Sequence, residues 1–304
     1  MNWTRIQSIR TLEVSRAFRF APAERPALFA TLGIAHNSRV LEVGCGTGIF
    51  TRYLADGAPD GYVIGIDATA DFVAFAKARR ASPRLDFALG DAYALPVADG
   101  VMDATTSYTL MAILQDPAAA LREQMRVVRT GGVVSAIEVL RGGIGHWGRP
   151  HARLPGDEET RLSALRGRWN TISSQFVEPM ERGKFSFGWQ GRVEELPLEF
   201  ERAGLRQVRL SGFLSTFSTS DESYDRGQRR WFLEELGRHE VESVEQAWAE
   251  WRGIYEEHGV FETEVSELCE LVRREQALRL RDFDEGRRAW AWHGTAHLIV
   301  AGIV

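Results

Sequence analysis

The chain has 304 residues, of which 44% are apolar and 26% charged, with a formal net charge of −5, the composition of a globular protein large enough for one big domain or a domain plus a substantial insert. No apolar run approaches the ~20 residues that span a bilayer, and Met1-Asn-Trp-Thr-Arg-Ile lacks a secretory h-region, so a membrane span is excluded and a cytoplasmic location expected. Only Cys45 and Cys269 occur, too few for a disulfide framework or a zinc site.

Residues 1–36 read as helical and irregular. Pro26-Ala-Leu-Phe-Ala-Thr-Leu before Gly33 has the proline start and glycine stop of a short helix. Next comes Val40-Leu-Glu-Val-Gly-Cys-Gly-Thr-Gly-Ile49, an apolar strand that runs into glycines at alternate positions and then an amphipathic segment. Strand, tight glycine turn and helix start together form a site for the polar end of a nucleotide-like cofactor. The dinucleotide fingerprint needs a third glycine where Ile49 stands, and Glu42 would repel a pyrophosphate but suit an ammonium group.

Tyr62-Val-Ile-Gly-Ile-Asp67 is a second buried strand ending in an acid, about twenty residues on, where a ribose diol is usually held. Asp71 to Arg80 predicts a helix. Leu85-Asp-Phe-Ala-Leu-Gly-Asp91-Ala-Tyr-Ala-Leu-Pro96, Met102-Asp-Ala-Thr-Thr106 and Thr130-Gly-Gly-Val-Val-Ser-Ala-Ile-Glu138 predict strands three to five, with a helix from Pro117 to Val128. Alternating strand and helix implies a parallel sheet with helices on both faces.

After strand five the pattern lapses into the glycine-rich loop Arg141 to Pro150. Helices are then expected over 157–183 and from Gly191 to Ala203, followed by a sixth strand, Leu205 to Leu210. Roughly 85 residues separate it from the last strand, His297 to Val304. They predict helices at Gln228–His239, Ser243–His258 and Val260–Phe283, with a capping box at Ser243 and Gln246 and a stop at Gly259. Within 221–288 there are 19 acidic and 11 basic residues, a balance that argues against a nucleic-acid partner there. Eight of the nine tryptophans follow residue 140, an aromatic supply for a substrate pocket or for the insert's own core.

The ordered segments resemble motif I and the succeeding strands of the class I S-adenosylmethionine-dependent methyltransferases. Leu95-Pro96 and Gly131-Gly132 are similar to the small-molecule branch that contains the ubiquinone and menaquinone enzymes. The resemblance covers roughly residues 37–140. It implies an α/β fold: a doubly wound, Rossmann-like, seven-stranded, mostly parallel sheet with an antiparallel last strand and a helical insert forming a lid. The division it suggests is an N-terminal helical cap (1–36), a core (37–212 and 296–304) and the insert (213–295).

The resemblance also implies a cofactor, S-adenosyl-L-methionine, and roles for individual residues. Gly44, Cys45, Gly46 and Gly48 would let the backbone approach the amino acid end, with Glu42 bonding its ammonium directly or through water. Asp67 would accept the ribose hydroxyls, with Ala68 and Phe72 against the adenine faces. Asp91 and Ala92 would take the adenine edge, and Thr106 and Ser107 the methionine end. Arg19 or Phe20 would cover the cofactor.

Methyl transfer to a small organic acceptor, apolar or aromatic, is an in-line displacement that needs alignment and exclusion of water more than any side chain. If the nucleophile is a hydroxyl, candidate bases are His146 and, less so, His293, while Tyr108 could line the pocket. No metal site is expected, no G-x-S-x-G hydrolase motif occurs, and oligomeric state is not encoded in any motif. Three other functions stay open at this point: a methyltransferase acting on RNA or protein, a nicotinamide-dependent oxidoreductase and a catalytically inactive cofactor-binding module.

Overall fold

A computed structural model describes residues 8–20, 24–140, 146–148, 154–177, 193–287 and 289–304. The chain divides into two compact units. The first comprises Met1–His146, Phe187–Thr216 and Gly294–Val304, and the second Trp147–Ser186 and Phe217–His293. The second unit therefore takes in 147–186 as well as most of the insert expected at 213–295, and the N-terminal segment belongs to the first unit.

The sheet comprises β1 (Arg39–Val43), β2 (Tyr62–Asp67), β3 (Leu85–Leu89), β4 (Met102–Tyr108) and β5 (Val128–Val139), all in the first unit, with His146 alone of a short β6 (His146–Gly148) and most of β7 (Arg206–Ser218) and β8 (Trp292–Ile303). Their order is β3-β2-β1-β4-β5-β8-β6, with β7 also paired to β8. The pairs among β1 to β5 are parallel, and β8 runs antiparallel to β5 from Val133 opposite Ile303 to Val139 opposite His297. Seven of these are the expected strands, and the three-residue β6 is an addition in the glycine-rich segment. β7 is longer than the predicted Leu205–Leu210, because its pairing to β8 carries it on to Ser218.

Helices α1 (Ile9–Arg16), α2 (Arg25–Leu32), α3 (Ile49–Gly57), α4 (Ala70–Arg80), α5 (Pro117–Val127) and α7 (Leu196–Ala203) belong to this unit. Successive residues of a strand point to opposite faces, and β1 shows the result. Val40 joins a core with Phe29, Phe50 and Phe87, whereas Leu41 and Val43 join another with Leu121, Val134 and Phe200. A sheet covered on both faces needs continuous apolar strands, which is what the sequence shows.

The second unit holds α6 (Gly156–Ile172), α8 (Arg226–Glu257) and α9 (Glu262–Asp284). The sequence suggested a break near residue 240 and a capping box at Ser243. Instead α8 passes residue 240 without a break and kinks only at Trp251 (φ −119°, ψ 19°), and its box is Asp225 with Gln228, whose side chains and amides bond reciprocally at 2.9 and 3.1 Å. No glycine or proline interrupts 238–252, and burial of Val241 and Val244 carries the helix through. Gly259 does terminate it, at φ +76°. The predicted helical run 157–183 ends in a π turn at Val177, and 178–183 lie outside the described residues.

The core of this unit contains Trp169, Val244, Trp251, Tyr255 and Leu268, with Trp169 stacked on Tyr255 at 3.9 Å. Trp169 and Trp251 thus fill the unit's own interior rather than a pocket wall.

An ion network crosses that interior. Arg166 of α6 bonds Glu240 of α8 at 2.7 Å and Glu275 of α9 at 2.9 Å, and Arg279 bonds Glu275 at 2.7 Å. Burial opposes the charge on Glu275, yet Arg166 and Arg279 overcome it and hold the carboxyl at about 2. With an ordinary value of 4.5, its stabilisation is complete above that pH and fades as pH falls toward 2. Glu275→Gln removes the carboxylate that Arg166 and Arg279 share, leaving Arg166 with Glu240, and is expected to cost about 3–5 kcal/mol at neutral pH. Urea unfolding followed by tryptophan fluorescence measures this, and a loss below about 1 kcal/mol would show that the network contributes little.

Candidate active site

The sheet order reverses between β1 and β4, and in open α/β sheets the ligand crevice lies at the carboxyl ends of the strands at such a point. A cavity of about 410 Å³ opens there. Gly44 and Gly46 of the glycine turn form one wall, and Asp67 and Ala68 at the end of β2, with Phe72 behind them, form the next. Asp91 and Ala92 after β3 and Thr109 and Leu110 after β4 continue it, and Leu12, Arg16 and the following Arg19 close it.

The turn is anchored by the Gly44 and Cys45 amides, which donate to the Ile66 carbonyl at 2.7 and 3.0 Å. Two positions require glycine. At Gly46 (φ +53°) a Cβ would stand 3.1 Å from the Arg16 guanidinium, and at Gly48 (φ +83°) 2.6 Å from the Phe87 ring. The Asp67 carboxylate is held by the backbone: Oδ2 accepts the Gly46 N–H and Oδ1 the Thr69 N–H, each at 2.8 Å. A carboxylate has about four acceptor directions, so both oxygens retain capacity for ligand hydroxyls. Asp91 accepts the Tyr93 N–H at 3.0 Å, and the Tyr93 hydroxyl accepts the Gln115 and Asp116 amides, which ties the turn after β3 to the start of α5.

The opposite side of the cavity is cationic. Arg16 donates to Thr109 Oγ1 at 2.8 Å and lies 5.4 Å from the Tyr108 ring centre. Among the described residues no carboxylate comes within ion-pair distance of it, although Glu42 and Asp67 act on it through space. Thr109 has φ +54°, rare for a β-branched residue and a mark of a backbone held by its surroundings. Arg19 donates to the Tyr108 hydroxyl at 2.9 Å, and that hydroxyl is 2.8 Å from His297 Nε2.

The cavity gathers Gly44, Gly46, Asp67, Ala68, Asp91 and Ala92 of the anticipated residues, with Phe72 and Arg19. Phe20 instead stacks on Phe50 in the core, with ring centres 4.4 Å apart. Glu42 is off the wall, 1% exposed, because strand alternation turns it away from the side that Val43 presents. Its Oε2 accepts the Thr51 hydroxyl at 2.5 Å, beneath the first turn of α3. Glu42 therefore stands behind the wall, where it supports the turn and the start of α3. Cys45 is likewise buried, its thiol pushed well up by burial, and Gly48 serves packing against Phe87.

Thr106 and Ser107 are wholly buried within β4, which runs two residues past the predicted end, so Thr109 and Leu110 occupy the place expected for them. Tyr108 is 1% exposed and behind the wall, where burial pushes its phenol up against the opposing pull of Arg19. His293 is buried away from the cavity wall. The His146 backbone is in β6, and its side chain lies outside the described residues. Arg16 went unnoticed in the sequence, although its i, i+3 spacing from Arg19 was a usable signal. Among the described residues no cluster of three or more His, Cys, Asp or Glu could hold a metal ion, and no helix is long and apolar enough to cross a membrane.

Burial raises the Glu42 carboxyl to about 8, with Thr51 opposing the rise. Because the folded value exceeds the ordinary 4.5, Glu42 contributes stability that is complete below that pH and lost as pH rises through about 8. Glu42→Gln keeps an acceptor for Thr51 and cannot ionise. Its melting temperature should fall less than the parent's between about pH 5 and 8; parallel curves would count against a titrating Glu42.

Residues 41–136 match the family model described as a methyltransferase domain. A demethylmenaquinone methyltransferase of Roseiflexus castenholzii is 39% identical over 148 residues, 47% of this chain and 59% of that one. A malonyl-[acyl-carrier protein] O-methyltransferase of Pectobacterium atrosepticum is 30% identical over 145 residues, covering 47% and 56%. The chain spans about half the length of the curated relatives it matches. In fold it is similar to phosphoethanolamine N-methyltransferase 2 of Haemonchus contortus, solved with S-adenosyl-L-methionine (TM-score 0.51, 14% identity, 99% of this chain and 58% of that one). It is also similar to a protein of Anabaena variabilis assigned as a methyltransferase of an antibiotic biosynthesis pathway (TM-score 0.50, 14% identity, covering 94% and 99%). In its sheet order, its glycine turn and the segment matched as a methyltransferase domain, the chain is similar to the class I S-adenosylmethionine-dependent methyltransferases.

Proposed function

We propose that this protein transfers a methyl group from S-adenosylmethionine to a small organic acceptor of apolar or aromatic character. The observation that carries the cofactor assignment is Asp67: a carboxylate fixed by two backbone amides, on the wall of a cavity of about 410 Å³, with acceptor capacity for a ribose diol. The rest of the wall has matching chemistry. Asp91 and the Ala92 amide suit the edge of an adenine, and Ala68 and Phe72 its faces. Gly44 and Gly46 lie on the wall with no side chain, so the backbone can meet an amino acid end. Arg16, a cation with no ion-pair partner among the described residues, suits the carboxylate of that end.

The cofactor, when bound, supplies a methyl group on a positively charged sulfur. The protein's residues orient and enclose it. Leu110, Ile113 and Leu114 supply an apolar stretch of wall that excludes water, where alignment of the reactants lowers the barrier. The menaquinone-type relatives support a small organic acceptor.

Calorimetric titration tests the reading. Micromolar binding of S-adenosylmethionine and S-adenosylhomocysteine is expected, with none of NADH. Asp67→Ala should weaken both at least tenfold, about 1.4 kcal/mol, through loss of its hydrogen bonds to the ligand. Binding of NADH in preference, or an Asp67→Ala affinity equal to the parent's, would overturn it.

A further inference from the structure

Glu138 stands on β5 opposite Leu298 of β8, with its side chain 3% exposed, and no motif or cavity contact accounts for it. Its Oε1 accepts the Met111 N–H at 2.7 Å, and the neighbouring amides of Leu110 and Ala112 favour the charge on the same carboxyl. These three amides open the 3-10 turn Met111–Ile113. The first amides of a helical turn have no partner within it and favour a negative charge beside them. A carboxylate is not kept in an apolar interior without such donors. The turn so held forms the cavity wall after β4: Leu110, Ile113 and Leu114 face the cavity, and Thr109, at φ +54°, accepts the Arg16 hydrogen bond.

We propose that Glu138 is a positioning residue that, from behind the wall, fixes the Thr109–Leu114 turn in the shape that admits the cofactor and keeps Thr109 in register with Arg16. This rests on the reading of the cavity as the cofactor site. Glu138 acts through the turn and does not line the cavity itself. The charged and titratable groups around it are Arg16 of α1 and Tyr108 of β4, with His297 of β8 opposite the next residue, Val139. Burial raises its carboxyl to about 7, with the three amides opposing, so the anion that holds them forms near neutrality. Protonation leaves a neutral acid, a weaker acceptor for the same amides.

Hydrogen exchange read by mass spectrometry tests the hold without any ligand. In the parent chain, protection of peptides covering 110–112, corrected for intrinsic rates, should rise as pH passes from 6 to 8. In Glu138→Gln it should be about tenfold lower at pH 8 and independent of pH, while β1 and β5 keep their protection. Affinity for S-adenosylhomocysteine should fall about tenfold in Glu138→Gln at pH 8 and approach the parent's at pH 6. Glu138→Asp, which restores the charge, should recover part of it. Glu42, which also titrates in this region, is common to parent and variant, so their difference isolates Glu138.

Equal protection at 110–112 in parent and variant, or an affinity loss identical at both pH values, would overturn the proposal. Should Glu138→Gln fail to fold, the parent's own exchange profile decides, and a profile flat in pH counts against it. Failure of the parent to bind S-adenosylhomocysteine would instead remove the cofactor reading, an outcome the ligand-free exchange experiment keeps separate.

Discussion

The hydrogen bond from the Gly46 amide to the Asp67 carboxylate joins the turn after β1 to the end of β2, and the geometry of the cavity depends on it. Neighbouring parallel strands fix the two chains in register, with Val43 opposite Ile66, so that turn and acid meet at one edge of the sheet. A side chain on the Gly46 Cα would crowd the Arg16 guanidinium, and an acid one residue off would point to the other face. The bond thus links three things that the chain carries separately: a backbone position that needs glycine, a strand register and a carboxylate with acceptor capacity to spare.

Two further carboxylates support the site from behind, each beneath the start of a helical turn. Glu42 accepts from Thr51 in the first turn of α3, and Glu138 accepts from the turn after β4. Both are pushed toward or above neutrality by burial, which shows how much solvation each gives up to stay inside. The amides at the open end of a helical turn explain why they are tolerated. Arg16 feels both charges as well as Asp67, so the cavity's cationic side and its acidic supports belong to one electrostatic neighbourhood. The second unit uses charge differently. There Arg166 and Arg279 bracket Glu275 and keep it ionised, joining three helices that also share a tryptophan-rich core.

Strand-and-glycine patterning made the first unit legible. A strand covered on both faces must be continuously apolar, and a turn at positive φ must be glycine, so β1 to β5 and the cavity's glycine and Asp67 walls could be read directly. Asp91 and Ala92 were legible for the same reason, being anchored to the end of a recognisable strand. Helix interruptions were not. The break suggested before Ser243 is absent because buried Val241 and Val244 carry α8 past it, a tertiary effect that overrides a local capping pattern, and the helix kinks instead at buried Trp251.

The amino-acid sequence by itself determined the doubly wound α/β topology, the glycine turn and the acids at the ends of the second and third strands, because these follow from period, backbone conformation and spacing. Tertiary structure alone decided which side of a wall each polar group occupies. It turned Glu42 and Tyr108 behind the wall, carried β4 two residues further so that Thr109 and Leu110 replaced Thr106 and Ser107, and brought Arg16 to the cavity from 93 residues away. The physical reason is that side-chain direction depends on strand register and on what packs across it. Those contacts join residues distant in the chain and leave no periodic trace in the sequence.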